Sequence, residues 1–185
     1  MVHADIRPLI FCLVGYADFQ RFSELANLRI RDISIYQDHM ELFVESSITD
    51  QLRKGTTVVI ARSGTCICPV AMLERYLCTA AVKSEQFLFR GIIHSKNGSK
   101  LRDNGGLSYT TVRETVLERF KAIGLDKQQY GLHSLRAGGA SGAANAGVPD
   151  RMFKRHGRWH SENAKDSYIA DSLQNRLQVS EDIGL

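Results

Sequence analysis

The sequence predicts a mainly helical domain with a small N-terminal three-stranded antiparallel sheet. Two patterns carry this expectation: apolar residues alternate with period two only within residues 33–61, and most of the chain after that has helical apolar spacing. Size and composition set the bounds. A chain of 185 residues with 43% hydrophobic and 24% charged residues matches one globular domain. At this length roughly 70% of the unfolded surface is buried, enough for a core without staples.

The elements follow in order. The apolar run 9–14, preceded by Asp5, Arg7 and Pro8, reads as the start of a core helix. It is far shorter than the roughly 20 residues that cross a bilayer. Ser23 is a candidate N-cap for a short helix carrying Glu24, Leu25 and Leu28. Ile33-Ser34-Ile35, then Met40, Leu42 and Val44, then Val58, Val59 and Ile60 read as three strands, with turns near Gln37-Asp38 and within 50–55. Pro69 fits a first helical turn, and Met72, Leu73, Tyr76, Leu77 and Ala80 share one face behind it. Residues 96–106 read as a polar loop. Val112, Val116, Leu117, Phe120 and Ile123 form the stripe of a helix over 108–123 that stops at Gly124. Residues 134–146 are rich in Ala and Gly, so a helix there requires closely packed neighbours, because each glycine costs about 1 kcal/mol. Two short helices over 150–156 and 161–169 flank Gly157-Arg158-Trp159-His160, and Leu173 and Leu177 mark a short amphipathic tail.

The formal net charge is +4, which permits a nucleic-acid partner and excludes a disordered polyelectrolyte, a collagen-like repeat or a histone-like tail. Cys12, Cys66, Cys68 and Cys78 make no disulfide framework, and no secretion signal precedes them. They read as reduced, mostly buried thiols of a protein that is nuclear if eukaryotic and otherwise cytoplasmic, not secreted. Cys66-x-Cys68 is half a zinc knuckle with no second half at useful spacing, so no metal and no other cofactor is expected.

The chemistry concentrates near the C-terminus. His133 and Arg136 are three residues apart, Trp159 follows Arg136 by 23, and Tyr168 follows Trp159 by nine, while Arg21-Phe22-Ser23-Glu24 stands upstream. Taken singly, each has an ordinary reading: surface arginine, capping histidine, core tryptophan, packed tyrosine, first-turn carboxylate. Two guanidiniums, however, suit the non-bridging oxygens of a phosphodiester that gains charge under attack. His133 lies one helical turn from Arg136, so both can face one phosphate. An indole N–H can donate to a phosphate oxygen.

In order and spacing these residues resemble the catalytic domain of tyrosine recombinases, the phage-integrase family, from about Val14 to Tyr168. Residues 133–168 look most like the recombinases of eukaryotic DIRS-like and Crypton-like mobile elements. The resemblance implies a site-specific recombinase or integrase that cuts and rejoins double-stranded DNA without metal. Tyr168 would attack to form a 3′-phosphotyrosyl link. Arg21 and Arg136 would grip the phosphate, His133 would take or share the tyrosine proton, Trp159 would donate and buttress, and Glu24 would orient the basic groups. It also implies a tetramer on paired DNA sites and a tail over 169–185 that docks on a neighbour, although Leu173 and Leu177 taken alone suit a helix folding back in cis; the sequence reads as one catalytic domain over 1–185 without the family's usual N-terminal DNA-clamping domain. No membrane or small-molecule partner is implied.

One position departs from the family. A lysine between the second and third strands protonates the leaving 5′-hydroxyl, and Ile48 stands near its place. Lys54 is the nearest candidate substitute, with Arg53 beside it as a DNA contact. If neither acts, the protein is a weakened DNA-binding module, since losing a general acid costs about 10²–10⁴-fold. A type IB topoisomerase-like relaxase shares the same chemistry. The whole net charge falls within 129–160, where Arg136, Arg151, Lys154, Arg155 and Arg158 face only Asp150. Lys154, Arg155 and Arg158 are therefore expected at the DNA surface.

Overall fold

The computed structural model describes residues 3–45, 55–80, 83–96, 98–102 and 106–183. Helix α1 (His3–Ala17) runs through the centre, with Ile6, Ile10, Phe11 and Val14 buried on it. It starts before its apolar run and accommodates Pro8 internally, forgoing one backbone bond. Helix α2 (Phe22–Asn27) is capped at Arg21 rather than Ser23: the Glu24 carboxylate accepts the Arg21 backbone N–H at 2.8 Å, leaving Ser23 inside the first turn.

The sheet matches expectation. Strands β1 (Ile33–Ile35), β2 (His39–Val44) and β3 (Thr56–Ala61) pair antiparallel in the order β1-β2-β3, with Ile33 opposite Leu42 and Val44 opposite Thr56. Met40, Leu42, Val44, Val58 and Ile60 are buried, as period two requires of one covered face.

Helix α3 (Pro69–Ala80) packs on α1 through Leu73 and Tyr76. The expected loop after residue 96 instead contributes a strand. Ile92–Ser95 (β4) and Gly98–Leu101 (β5) pair antiparallel, with Ile92 opposite Leu101 and Ser95 opposite Gly98. Helix α4 (Tyr109–Ala122), capped by Ser108, buries Val116 and Leu117, but Ile123 lies beyond its end and is 74% exposed.

Helices α5 (His133–Asn145), α6 (Asp150–Gly157), α7 (Glu162–Asp166) and α8 (Leu173–Asp182) complete the chain. Helix α5 crosses α1 closely. A Cβ at Gly139 would overlap the Tyr16 carbonyl and the Phe19 ring, which explains a glycine inside a helix. The main core gathers α1, α3, the sheet and parts of α2, α4 and α5. A second, smaller cluster of Phe19, Ala140, Phe153 and Trp159 lies beside it, with Tyr168 and Ile169 packed against it. Cys66 and Cys78 are exposed, so only Cys68 of the four thiols is fully buried; the expectation of mostly buried thiols is corrected. Among the described residues no helix is long and apolar enough to cross a membrane, and no group of three or more His, Cys, Asp or Glu gathers.

Candidate active site

The small second cluster forms the wall of the candidate site. Phe19 precedes α2 by three residues, Ala140 sits on α5, Phe153 on α6, and Trp159 follows α6. Trp159 stacks on Phe153 with centroids 4.9 Å apart and leans on Phe19 at 5.9 Å. Gly157 makes this possible, because a Cβ there would overlap the Trp159 ring. The Trp159 indole N–H is buried and has no partner among the described residues.

Arg136 is fully buried on α5. One Nη donates to the Phe19 carbonyl and the other to the Gly157 carbonyl at 2.8 Å, while Nε has no partner among the described residues. Its guanidinium lies 4.7 Å from the Trp159 ring centroid and 4.9 Å from that of Tyr168. Burial pushes its pKa down to about 10, helped by the positive charges of Arg21 and Arg158 and opposed by Glu24 and Tyr168. Tyr168 follows α7, half-buried, with its ring 5.8 Å from Trp159 and 6.2 Å from the exposed His133. Its backbone carbonyl accepts from the Ser141 hydroxyl, which anchors the segment to α5.

Four expected residues, His133, Arg136, Trp159 and Tyr168, are thus brought together. Arg21 reaches the same region from α2. Its Nη1 pairs with Glu24 at 3.3 Å, and Glu24 extends its other oxygen to Arg158 at 3.1 Å. Arg158 departs from the expected DNA surface. Its side chain is 4% exposed and pairs with the buried Asp18 carboxylate at 2.7 Å as well as with Glu24. Two acids brought from a distant segment outweigh the aqueous hydration that keeps most arginines outside. Burial raises the Asp18 pKa to about 7 against the lowering pull of Arg158; Glu24 adds to the rise and Gln20 opposes it. Asp18 and the Phe19 carbonyl are contributors the sequence reading missed. An acid between Ala17 and Phe19 at a helix end was the only signal for the first, and a backbone carbonyl gives none.

Lys154 and Arg155 lie on α6. Arg155 is exposed, whereas Lys154 is paired with Glu162 of α7. Ile48, Arg53 and Lys54 lie outside the described residues.

No protein-family model matches the sequence. The chain is 30% identical over 181 residues to an integrase/recombinase XerD homolog of Selenomonas ruminantium, across 94% of this chain and 52% of that protein. Among solved structures it is similar in fold to the XerH site-specific recombinase in a post-cleavage complex with palindromic difH substrate (TM-score 0.73, 14% identity, 97% of this chain and 46% of that one). It is also similar to the XerA recombinase (TM-score 0.72, 18% identity, 98% and 58%). The chain therefore spans about half the length of these proteins. They do not carry the finer affiliation with DIRS-like or Crypton-like elements. Likeness in sequence over nearly all of this chain, a shared fold and the gathered residues agree: the chain is similar in sequence to an integrase/recombinase and has the fold of site-specific recombinases.

Proposed function

We propose that the chain is a recombinase or integrase catalytic domain that cuts and rejoins double-stranded DNA through a phosphotyrosyl intermediate on Tyr168. One observation carries this reading: the rings of Trp159 and Tyr168, from two separate segments, lie against the buried Arg136 guanidinium, and His133, one turn before Arg136 on α5, lies beside the Tyr168 ring. Tyr168 covers Arg136, so arrival of the scissile phosphate and displacement of the phenol are one exchange. The phosphate takes the guanidinium, and the freed phenol attacks phosphorus from the side opposite the leaving 5′-oxygen. His133, beside the Tyr168 ring, accepts the phenolic proton. Arg21, Arg136 and the unpaired indole N–H of Trp159 bind the non-bridging oxygens as they gain charge. The resulting ester keeps the energy of the broken bond for rejoining to a 5′-hydroxyl.

Lys54 is the proposed donor of the proton to that 5′-oxygen. Arg53, Lys154 and Arg155 are proposed phosphate contacts; Lys154 first exchanges Glu162 for DNA. Self-association on paired sites is supported by α8, where Leu173, Leu177 and Val179 are exposed, as is Ile183 just beyond it.

The test is capture of a denaturation-resistant protein–DNA adduct on nicked suicide duplexes drawn from a randomised pool. Wild type is expected to form it and Tyr168→Phe to lack it; an adduct on the Phe variant sinks the assigned nucleophile. Ile48 at the family's lysine position supports a second reading, a DNA-binding module with weakened cleavage. It predicts salt-dependent binding without adducts, and adducts once Ile48→Lys is introduced.

A further inference from the structure

Among the described residues only two besides glycine have left-handed backbone, Phe19 (φ 52°) and Arg158 (φ 58°). Any residue with a Cβ is disfavoured there. Arg158 stands immediately after α6, where glycine is the common choice. Its N–H returns to the Arg155 carbonyl at 3.3 Å, and the N–H of Trp159 returns to the Lys154 carbonyl at 3.1 Å, closing the helix. An arginine in a glycine position persists when its side chain compensates for the strain.

The compensation is visible. Nη1 of Arg158 donates to the Asp18 carboxylate and, at 3.2 Å, to the Asp18 carbonyl, while Nη2 donates to Glu24. The two strained residues meet at one atom: the Phe19 carbonyl accepts from Arg136 and, at 3.5 Å, from Arg158. Glu24 in turn holds Arg21 by backbone and side chain. A buried chain of direct bonds therefore runs from the turn bearing Trp159, through Arg158 and Glu24, to Arg21.

We propose that Arg158 is a positioning residue: its guanidinium fastens the turn that carries Trp159 to the segment 18–24 that carries Arg21, so that both face one phosphate beside Arg136. This rests on the strand-cleavage reading above. A charged fastener differs from ordinary core packing in what its loss does. Truncation leaves the aromatic wall of Phe19, Phe153 and Trp159 in place but frees Arg21 and Trp159 to drift relative to each other. Displacements of about 1 Å at such groups cost on the order of 10² in rate.

The test compares wild type, Arg158→Ala and Arg158→Lys, each well below its own melting temperature, on a suicide duplex that captures wild type. The expected result for the Ala variant is a fall of about 100-fold in the single-turnover adduct rate, with DNA affinity within about threefold. The Lys variant, which can keep one of the two carboxylates, should recover at least part of that rate. A wild-type adduct rate in Arg158→Ala, or a loss that only follows DNA affinity, overturns the proposal. If the Ala variant does not fold, Asp18→Asn replaces it, removing one anchor at constant volume; an unchanged adduct rate there is equally fatal. An arm independent of cleavage titrates orthovanadate, a mimic of the attacked phosphorus, while following fluorescence of the lone tryptophan. Half-saturation should rise about tenfold when Arg158 is truncated (Asp18→Asn again standing in if needed), since oriented charge-assisted donors are lost. Absence of wild-type adducts on every duplex, together with this vanadate shift, refutes strand cleavage and sustains the positioning role. An unmoved vanadate titration refutes the positioning role.

Discussion

Asp18→Asn provides a test of the buried network through pH alone. The Asp18 side chain has no solvent exposure and faces Arg158, Glu24 and the Gln20 amide, with His156 bonded to the neighbouring Ala17 carbonyl. Burial raises its carboxyl to about 7 in the folded chain, whereas the unfolded value is near 3.9. The folded state thus binds this proton more tightly than the unfolded one. Stability contributed by Asp18 is full below the unfolded value and is lost as pH rises through the folded one. Between pH 5 and pH 7.5 the expected loss is on the order of 2 kcal/mol. Asparagine has no proton to lose, so the variant should gain on wild type by that amount over the same interval. Urea unfolding followed by Trp159, the only tryptophan and 6% exposed, measures both proteins in one signal. A difference between them that stays constant from pH 5 to pH 7.5 would show that Arg158 keeps Asp18 ionised throughout, and the argument from burial would fail.

Gly157→Ala should destabilise the fold by about 2–3 kcal/mol, because the added methyl overlaps Trp159 in a packed cluster; an unchanged melting curve with unchanged tryptophan emission contradicts the packing described. Glu162 is held down to about 2 by its bonds to Lys154 and Lys165. Glu162→Gln should free a cation for DNA and steepen the dependence of log affinity on log salt by about one; an unaltered slope removes Lys154 from the proposed contacts. Ile123→Thr should change stability by no more than about 0.5 kcal/mol, since the side chain is 74% exposed. A loss of several kcal/mol would return Ile123 to the core.

The strands and most helices were legible because one covered face imposes a period on the sequence, as Met40, Leu42 and Val44 show in β2. The β4–β5 hairpin was not, because its second strand, Gly98–Leu101, lacks β-branched residues and is supported by pairing rather than pattern. Ile123 continued the periodicity of α4 past the point where Gly124, with φ 87°, ends the helix, so spacing alone overextended the stripe. At the site, His133, Arg136, Trp159 and Tyr168 could be selected because their intervals are fixed along the chain. Arg158 lay in the same run and was misread, since its partners Asp18 and Glu24 are more than 130 residues away and no local pattern announces them. Lys154 shows the milder version of the same limit, an apparent free cation whose partner sits eight residues on.

Net charge therefore misdirects when read as surface. Arg136 and Arg158 belong to the basic stretch 129–160, yet both are buried. With Arg21 they make three cations against two carboxylates, Asp18 and Glu24, and the Asp18 carboxyl is raised to about 7. The cluster consequently holds at least one uncompensated positive charge in a place where water is scarce. Arg136 bears most of it: among the described residues it has only backbone carbonyls and aromatic faces as direct partners, and burial together with Arg21 brings its pKa down to about 10. At neutral pH it remains protonated, so the folded chain carries the desolvation cost before any ligand arrives. A phosphate oxygen entering beside Arg136 meets a cation already stripped of water and held in place, and it restores the missing negative charge. Attraction that a hydrated surface arginine would lose to solvent is retained here, and it grows as the phosphorus gains charge under attack. Exposed residues such as Arg155 can only strengthen a salt-dependent grip. Under the proposed function, the buried imbalance is what would favour a reacting phosphodiester over a phosphate at rest.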